Sequence, residues 1–436
     1  MEGGWRFVGG AILCTASSPT VKNCVIRDNT SEYGAGISCH ESSPTITNCT
    51  ITDNSVLRAG GAVFCRPECS PTIVSCTIND NSAVLGGGIY CTESELAITN
   101  CTMSGNTAES DGGAITFYRG SVTIENCVIS SNTAETYGGG MYCWDSNETI
   151  VESEITGNSA RVGGGIYRGG LSRPTDTIII DCVISANSSS SRGGGIHCES
   201  GRPTIINSTI SGNTASSGGG MWCEGGGGIT NCVISGNSAR GSGGGFYFTF
   251  SRPKIANSAI IGNKAGWWGA GIFFDVAEAT ITNCTISENS AMKAGGGIWA
   301  DGVYGTMTNT IIWNNLPEQI TTEYWNVLAT YNDVQDGWPG DGNIDSDPWF
   351  VEAGYWDANG TPGDANDDFW VEGDYRLLEG SPCIDSGDPN YAAGPNETDL
   401  DGKARVIDGD EDGTAVVDMG AYEYIAPLEV EMTLVP

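Results

Sequence analysis

The chain has 436 residues, and its 53 acidic against 19 basic residues give a formal net charge of −34 at pH 7. Such a charge excludes nucleic acids and anionic membrane surfaces as expected partners, because phosphate binding needs a basic face. No apolar stretch approaches the ~20 residues of a membrane-spanning helix.

The N-terminus does not have the pattern of a secretion signal. Glu2, Gly3 and Gly4 stand where a basic segment is expected, and the apolar run over residues 8–13 is broken by glycine. The same run fits the repeat described below, so we expect the first repeat to begin near Gly9. We nevertheless expect an extracellular or cell-surface protein, which leaves three alternatives: a removed leader, a gene model that starts late, or another export route.

Residues 9 to about 315 repeat with a period close to 26. Each period offers three short strands, of the types Gly-Gly-Gly-Ile-Tyr-Cys, Pro-Thr-Ile-Thr-Asn and Cys-Thr-Ile, and glycine supplies corners with positive φ. No 3.6-residue apolar pattern supports a helical repeat. The sequence therefore predicts an all-β, right-handed parallel β-helix, with about 12 regular coils over residues 1–315 and irregular acidic C-terminal coils and a closing segment over 316–436.

An asparagine recurs at one fixed position of every period. Asparagine tolerates left-handed backbone geometry, and its side-chain amide can bond the equivalent asparagine of the next coil, which predicts a continuous amide ladder. The predicted ladder contains Asn54, Asn81, Asn106, Asn132, Asn158, Asn187, Asn213, Asn237, Asn263 and Asn289.

The repeats resemble those of bacterial surface β-helix proteins, with the polymorphic outer-membrane-protein repeats as the nearest named set. The resemblance rests on motifs such as Asn-Cys-Thr-Ile-Ser-Glu-Asn-Ser-Ala at 283–291, followed by Gly-Gly-Gly-Ile at 295–298. It covers about 300 residues and implies the fold more specifically than any function.

Beyond Leu316 the pattern loosens, and residues 320–350 are predicted to add a few irregular coils. The stretches at 380–388, 398–402 and 418–424 are similar to the closing segment of the "choice-of-anchor Q" class of bacterial secreted β-helix proteins. In that class the segment typically precedes a variable surface anchor, so the resemblance implies a cell-surface location.

Two oxygen-rich runs in this segment predict calcium as a cofactor. The run Asp-Gly-Asp-Glu-Asp-Gly at 408–413 matches the opening half of a calcium loop, although Met419 stands where a bidentate Glu is expected. A solvated acidic loop is the alternative. The candidate ligands are Asp408, Asp410, Asp412, Asp418, Asp357, Asn359 and Asp364.

The 17 cysteines fall mostly into two columns of the repeat. Five coils keep a cysteine in only one column, which does not fit obligate bridging within a coil. Stacked neighbours about 4.8 Å apart with parallel Cβ vectors have poor disulfide geometry. We therefore predict free thiols that fill the core as small apolar groups.

The residue after each inward isoleucine forms a third column, which alternation directs outward. Eight of its twelve positions are aromatic: Phe64, Tyr90, Tyr142, Tyr167, Trp222, Tyr247, Phe273 and Trp299. One interpretation is strand propensity with self-stacking. The other is an exposed stripe that contacts sugars or a lateral partner.

Three functions remain open at this point. The regular coils favour a non-enzymatic extracellular structural protein that assembles head to tail with itself, since no amphipathic capping helix is evident and residues 428–434 alternate as a strand. A tail that folds back as a cap is the competing interpretation. The alternatives are a carbohydrate-binding adhesin, and a pectate-lyase-like lyase or hydrolase using the one sizeable insertion, which carries Arg168, Arg173, Asp176 and Asp181.

Overall fold

Three short strands per period and a bend after each are the elements of one coil, and the chain stacks twelve such coils and a shorter thirteenth. The computed structural model describes residues 10–170, 177–361, 368–409 and 412–426. Strands of successive coils pair in parallel and in register, as in Ile51 with Ile78 and Ile78 with Met103. The result is the predicted all-β parallel β-helix. Among the described residues, no helix is both long and apolar enough to cross a membrane.

The coils form three parallel sheets, which are numbered here by the order of their strands within a coil. The first sheet contains Ile12–Thr15, Thr20–Lys22, Ile37–His40, Thr45–Thr47, Val63–Cys65, Thr72–Val74, Ile89–Thr99, Ile115–Glu125, Met141–Val151, Ile166–Gly169, Thr177–Ile180, Ile196–Cys198, Thr204–Ile206, Met221–Glu224, Gly227–Thr230, Phe246–Ser251, Pro253–Ala256, Ile272–Thr282, Ile298–Thr308, Ile320–Thr322 and Trp325–Thr330.

The second sheet contains Val25–Arg27, Thr50–Thr52, Thr77–Asn79, Thr102–Ser104, Val128–Ser130, Glu154–Thr156, Val183–Ser185, Thr209–Ser211, Val233–Ser235, Ala259–Ile261, Thr285–Ser287, Ile311–Trp313 and Asp333–Val334, one for each of coils 1–13. The third sheet contains Thr30–Tyr33, Ser55–Ala59, Ser82–Leu85, Thr107–Asp111, Thr133–Ala134, Ser159–Ala160, Ser188–Ser189, Thr214–Ala215, Ser238–Ala239, Lys264–Ala265 and Ser290–Ala291.

The interior is filled by isoleucine with cysteine beside it. Ile51, Ile78 and Ile184 are fully buried in one continuous core cluster that runs through all the coils. Burying each such side chain contributes about 1.5–3 kcal/mol. All 17 cysteines are free thiols, and burial raises the pKa of Cys232 and Cys284 to about 12, which fits their predicted role as apolar filling.

The asparagine ladder is present along the corner between the second and third sheets. Each side-chain amide donates to the amide oxygen of the next coil, as from Asn81 Nδ2 to Asn106 Oδ1 at 3.0 Å, and also to a strand carbonyl. The ladder asparagines from Asn54 to Asn289 are 0% exposed. The ladder ends where Asn315 Nδ2 donates to Gln319 Oε1 at 2.8 Å.

One detail of the ladder prediction is wrong. The left-handed backbone position is the residue before each ladder asparagine, such as Asp53 or Gly105. The asparagine itself keeps negative φ, because its side chain must point into the stack while the preceding residue makes the bend. Most of the asparagines that are left-handed instead precede the cysteine column, as at Asn48 and Asn100.

The C-terminal segment leaves the stack after Val334. Residues 336–345 cover the last coil, where Trp338 packs against the main core and Ile344 N donates to Asn332 O at 2.8 Å. The chain then turns back along the outer face of the second sheet and forms two antiparallel pairs, Phe350–Glu352 with Asp374–Leu377 and Tyr355–Asp357 with Phe369–Val371.

The second sheet is adapted to receive this segment. Its outward positions are mostly Thr, Ser or Val in the early coils, whereas in coils 10–12 they include Ala259, Ile261 and Ile311, all buried. Ala259 and Ile261 pack with Tyr375, and Ile311 packs with Leu377 and Met419. These contacts hold the segment sideways against the solenoid.

Candidate functional site: a cleft under the C-terminal segment

The strands Tyr355–Asp357 and Phe369–Val371, called here the hairpin arm, lie over coils 9 and 10. Trp370 rests on Gly236 and Gly262, where an added Cβ would come within 2.6 Å and 2.3 Å of the Trp370 side chain. Both glycines have φ near +60°, so they supply the bend as well as the space. Trp356 Nε1 donates to the carbonyl of Gly262 at 3.0 Å, which fixes the arm at a second point.

A cleft of about 930 Å³ opens between the arm and coils 7–10. Its solenoid wall is rich in hydroxyl groups, and its arm wall is aromatic and acidic. The solenoid wall includes Ser189, Thr209, Ser211, Thr214, Ser235, Ser238, Arg240 and Lys264. The arm wall includes Trp356, Asp368, Phe369, Trp370 and Glu372.

The charges in the cleft balance, with two cations facing two carboxylates. Lys264 Nζ lies 3.4 Å from Asp368 Oδ2 and 3.6 Å from the centre of the Trp356 ring. Burial lowers the pKa of Lys264, which the Asp368 carboxylate opposes, and burial also raises the pKa of Glu372. The cleft therefore offers fixed hydrogen-bonding groups without a strong net field.

Two indoles provide the apolar part of the site. The rings of Trp356 and Trp370 are 6.0 Å apart and inclined at 62°, and Phe369 beside them is exposed. The indole nitrogen of Trp370 is buried beside the Glu372 carboxyl group. Aromatic faces opposite a hydroxyl-rich wall suit a ligand that has both C–H faces and hydroxyl edges.

Residues 6–160 and 139–316 match the model of the right-handed beta helix region. The chain belongs to the right-handed β-helix family. No curated protein matches it. A solved structure with similarity is the crystal structure of pectate lyase Pel9A, at a TM-score of 0.44 and 14% identity over 88% of each chain.

The family match agrees with the right-handed β-helix that the sequence predicts. The family match ends at residue 316. The arm therefore lies outside the matched region, and only the solenoid wall of the cleft lies within it. The cleft was not predicted from sequence. The only local signals were the change of the outward second-sheet positions to Ala259, Ile261 and Ile311, and the clustered tryptophans at 356 and 370.

The predicted calcium ligands that the structure describes lie at two loops, Asp357 and Asn359 at one and Asp408 and Asp412 at the other, with Asp418 in the closing segment. Asp357 accepts the N–H of Asn359, Asp408 accepts that of Gly413 at 3.1 Å, and Asp412 accepts that of Thr414. Asp364 and Asp410 lie outside the described residues. Within the described ranges, no three histidine, cysteine, aspartate or glutamate side chains converge closely enough to hold a metal ion.

Asp418 differs from the other predicted calcium ligands that the structure describes in being buried. Its carboxyl group accepts the backbone N–H groups of Asp385 and Tyr424. Burial raises its pKa to about 7, beside the buried ion pair of Arg405 with Glu423 at 3.0 Å. Its carboxyl group links Asp385 and Tyr424 within the closing segment.

The aromatic column exists, and most of its rings are buried, which favours the self-stacking interpretation over the exposed stripe. Neighbouring rings stack, as in Tyr247 with Phe273 at 4.5 Å and Phe273 with Trp299 at 4.5 Å. Phe64, Tyr142, Tyr167, Trp222 and Phe273 are only 3–6% exposed. Each ring is covered by the rings of the coils above and below, so the column supports self-stacking rather than a continuous binding stripe.

Of the four insertion residues considered for an enzyme site, the structure describes Arg168 and Asp181, and Asp181 is exposed on a bend. Arg173 and Asp176 lie outside the described residues. Arg168 points into the core, where its guanidinium Nε is 3.9 Å from Glu148 Oε2 and the two side chains are 3% and 1% exposed. A buried pair of this kind is part of the packing and cannot meet a polymer in solution.

Proposed function

We propose that this protein binds polysaccharide outside the cell, and that the cleft under the hairpin arm is the binding site. The observation that carries the proposal is the pairing of Trp356 and Trp370 with the hydroxyl wall of coils 7–9. A pyranose ring has C–H groups on its faces, which pack on indoles, and hydroxyls on its edges, which exchange hydrogen bonds with serine and threonine.

The charges in the cleft indicate which sugars it suits. Arg240 and Lys264 are matched by Asp368 and Glu372, while the whole chain carries −34. A strongly anionic polymer would be repelled at long range and would gain no net attraction inside the cleft. We therefore propose a neutral polysaccharide as the ligand of the cleft, bound without cleavage.

The fibre alternative receives less support, because residues 336–345, which are not the C-terminal tail, cover the last coil. Ile344 N donates to Asn332 O at 2.8 Å over the last coil, and Gln319 Oε1 accepts the last ladder amide, from Asn315. An incoming chain would therefore not meet an open strand edge there. Residues 428–434, which suggested a joining strand, lie outside the described residues.

Replacing Trp356 by alanine is expected to weaken binding of a neutral oligosaccharide by about tenfold or more, because one stacking face of the cleft is lost. A glycan array should first identify a neutral binder, and isothermal titration should then measure the affinities. Trp267→Ala, at an exposed tryptophan on the bend after the third-sheet strand Lys264–Ala265, is the matched control and should bind normally.

Because Trp356 also anchors the arm, a second variant is placed in the solenoid wall of the cleft, opposite the arm. Thr209→Val keeps the shape of the side chain and leaves the arm contacts in place, and we expect it to weaken binding severalfold. Equal affinities in the wild type and both cleft variants would contradict the proposal. A rise in absorbance at 235 nm with an acidic polysaccharide would instead support the lyase alternative.

We also propose that the loop at 408–413 holds calcium. Asp408 Oδ1 is buried without a hydrogen-bond partner, and Asp385 is brought beside the loop, where it accepts the N–H of Gly409 at 3.0 Å. An oxygen set of this kind suits a hard cation.

A chelator is therefore expected to lower the melting temperature of the wild type by several degrees, since a ligand that binds only the native state stabilises it. Asp408→Asn and Asp412→Asn should each reduce that difference, whereas Asp28→Asn, on an exposed bend, should not. Scanning calorimetry with and without calcium measures the effect. Identical melting curves in chelator and in calcium would favour the solvated-loop interpretation.

A further inference from the structure

A group of exposed apolar side chains lies on the outer face of the first sheet in coils 10–13. Phe250 is 66% exposed, Val276 is 47%, Tyr304 is 60% and Leu328 is 65% exposed. These four side chains are called here the first-sheet patch. The closing segment packs on the second sheet instead, and the patch shares no residue with the cleft. Within the described ranges, the patch therefore stays open to solvent.

Two residues of the patch occupy a bend that is charged in earlier coils. The first-sheet strand turns through one left-handed residue, which is Glu93, Arg119 and Asp145 in coils 4–6. In coils 10 and 11 the equivalent residues are Phe250 and Val276, with φ of 46° and 53°. A bend that points into water suits charged residues, so the apolar pair needs another reason.

The apolar bend is unfavourable while it stays exposed to water. A β-branched residue such as Val276 is strained at positive φ, and such strain persists where the surroundings or a function maintain it. The same change to apolar outward residues marks the second sheet in coils 10–12, where Ala259, Ile261 and Ile311 receive the closing segment. By the same rule we expect the first-sheet patch to be a docking face.

The two ends of the patch carry opposite charges. Lys254 is exposed in coil 10, in the column of outward residues that ends at Leu328 in coil 13. Glu323 is exposed in coil 13, just before the bend position of that coil. Glu278, in the middle, is already paired with Arg252 of its own chain at 3.0 Å. The patch is therefore cationic at its end in coil 10 and acidic at its end in coil 13.

We propose that the first-sheet patch joins two copies of the chain side by side in antiparallel orientation. A two-fold axis perpendicular to the sheet, between coils 11 and 12, brings Lys254 of each copy to Glu323 of the other. The same axis sets the two bend residues of the patch beside its two strand residues, Tyr304 and Leu328, from the second copy. Every contact therefore forms twice. Four apolar side chains per copy suit a reversible dimer rather than an obligate one.

The net charge of −34 opposes this arrangement only weakly, because most of it lies elsewhere. Residues 336–436 contain 25 of the 53 acidic residues and 3 of the 19 basic residues, a net charge of −22. Their described part lies along the second sheet and over the last coil, so two copies joined by their first sheets hold these segments apart. At about 0.15 M salt the screening length is about 8 Å, and the direct contacts decide.

Sedimentation velocity of the full chain over a range of protein concentrations is the test. We expect a mass that rises reversibly from one chain to two at about 0.15 M salt. Leu328→Ser should weaken the dimer by about tenfold or more, since it removes an apolar contact from each half of the interface. Leu57→Ser, at a leucine that is 77% exposed on the third sheet, is the matched control and should dimerise like the wild type.

An exchange of charges tests the orientation. Lys254→Glu and Glu323→Lys should each weaken the dimer severalfold, because each sets like charges together at two contacts. The double variant should dimerise within about twofold of the wild type, since the exchange restores both pairs across the interface. A full chain that stays monomeric at every concentration, or a double variant as weak as the single ones, would overturn the proposal. The cleft lies on another face, so Trp356→Ala should leave the dimer intact, and the two proposals fail separately.

Discussion

Replacing Arg168 by methionine is expected to cost about 3–5 kcal/mol of the free energy of unfolding at pH 8, because it leaves the Glu148 carboxylate in the core without its counter-charge. Arg168 occupies a first-sheet position whose neighbours are Cys143 and Cys198. Glu148 is already held there by Ser146 and Thr177 hydroxyls, each at 2.5 Å. Equilibrium urea unfolding measures the loss.

The pH dependence of this variant has a definite sign. Burial raises the pKa of Glu148, and Arg168 opposes that rise. Removing Arg168 raises the folded-state pKa further above the unfolded value of about 4.3. The folded protein then retains a proton that the unfolded chain releases, so stability falls as pH rises from the unfolded toward the folded pKa. The variant should therefore be less impaired at pH 5 than at pH 8.

Two controls separate the ion pair from simple packing. The double variant Glu148→Leu with Arg168→Met should recover most of the loss, because a buried pair replaced by apolar groups is often neutral or stabilising. Arg252→Met, which breaks an exposed pair with Glu278, should cost less than about 1 kcal/mol. A double variant as unstable as the single one would show that the arginine acts by its shape alone.

The coils could be predicted because the residues that define each coil lie within one period of the sequence. Inward isoleucines such as Ile51 and Ile78 recur in every period, and a parallel stack is the arrangement that covers them. The ladder followed from the same period. The left-handed position was misplaced because a repeating asparagine reports side-chain bonding, whereas the bend itself accepts residues as different as Asp53, Gly105 and Ala186.

Exposure of the aromatic column could not be read from alternation. A period of two gives the direction of a side chain relative to its own strand, and it correctly directs Tyr167 and Trp222 away from the core. It does not report that His197 between them stacks at 5.1 Å and 4.5 Å and covers both rings. Burial here comes from the neighbouring coils.

The cleft was beyond prediction because it depends on contacts between distant segments. Trp370 meets Gly262, and Ala421 N donates to Thr285 Oγ1 at 3.0 Å. Gly105 and Gly157 occupy the same corner position as Gly262 in other coils, but the hairpin arm does not pack on them. Only the apolar outward residues of coils 10–12 distinguish the docking face, and they are few.

Replacing the ladder residue Asn158 by leucine is expected to lower the free energy of unfolding by about 3 kcal/mol or more. The Asn158 oxygen accepts both the backbone N–H and the side-chain amide of Asn132 at 2.9 Å, and its own amide donates to Asn187 at 3.0 Å and to the Ile129 carbonyl. Leucine removes all of these bonds in a fully buried site. Each buried donor or acceptor left without a partner costs about 1–3 kcal/mol.

Asn29→Leu is the matched control, at the same ladder position in the first coil. Asn29 is half-buried and its amide donates to Asn54 and to the Arg27 carbonyl, so water can replace the lost bonds and the cost should stay near 1 kcal/mol or less. Thermal or urea unfolding of the two variants gives the comparison. Equal destabilisation of both would mean that the ladder adds no more in mid-stack than at the end, and that the isoleucine core alone holds the coils in register. A larger loss at Asn158 would instead show that the amide ladder fixes the register where no solvent can substitute for it.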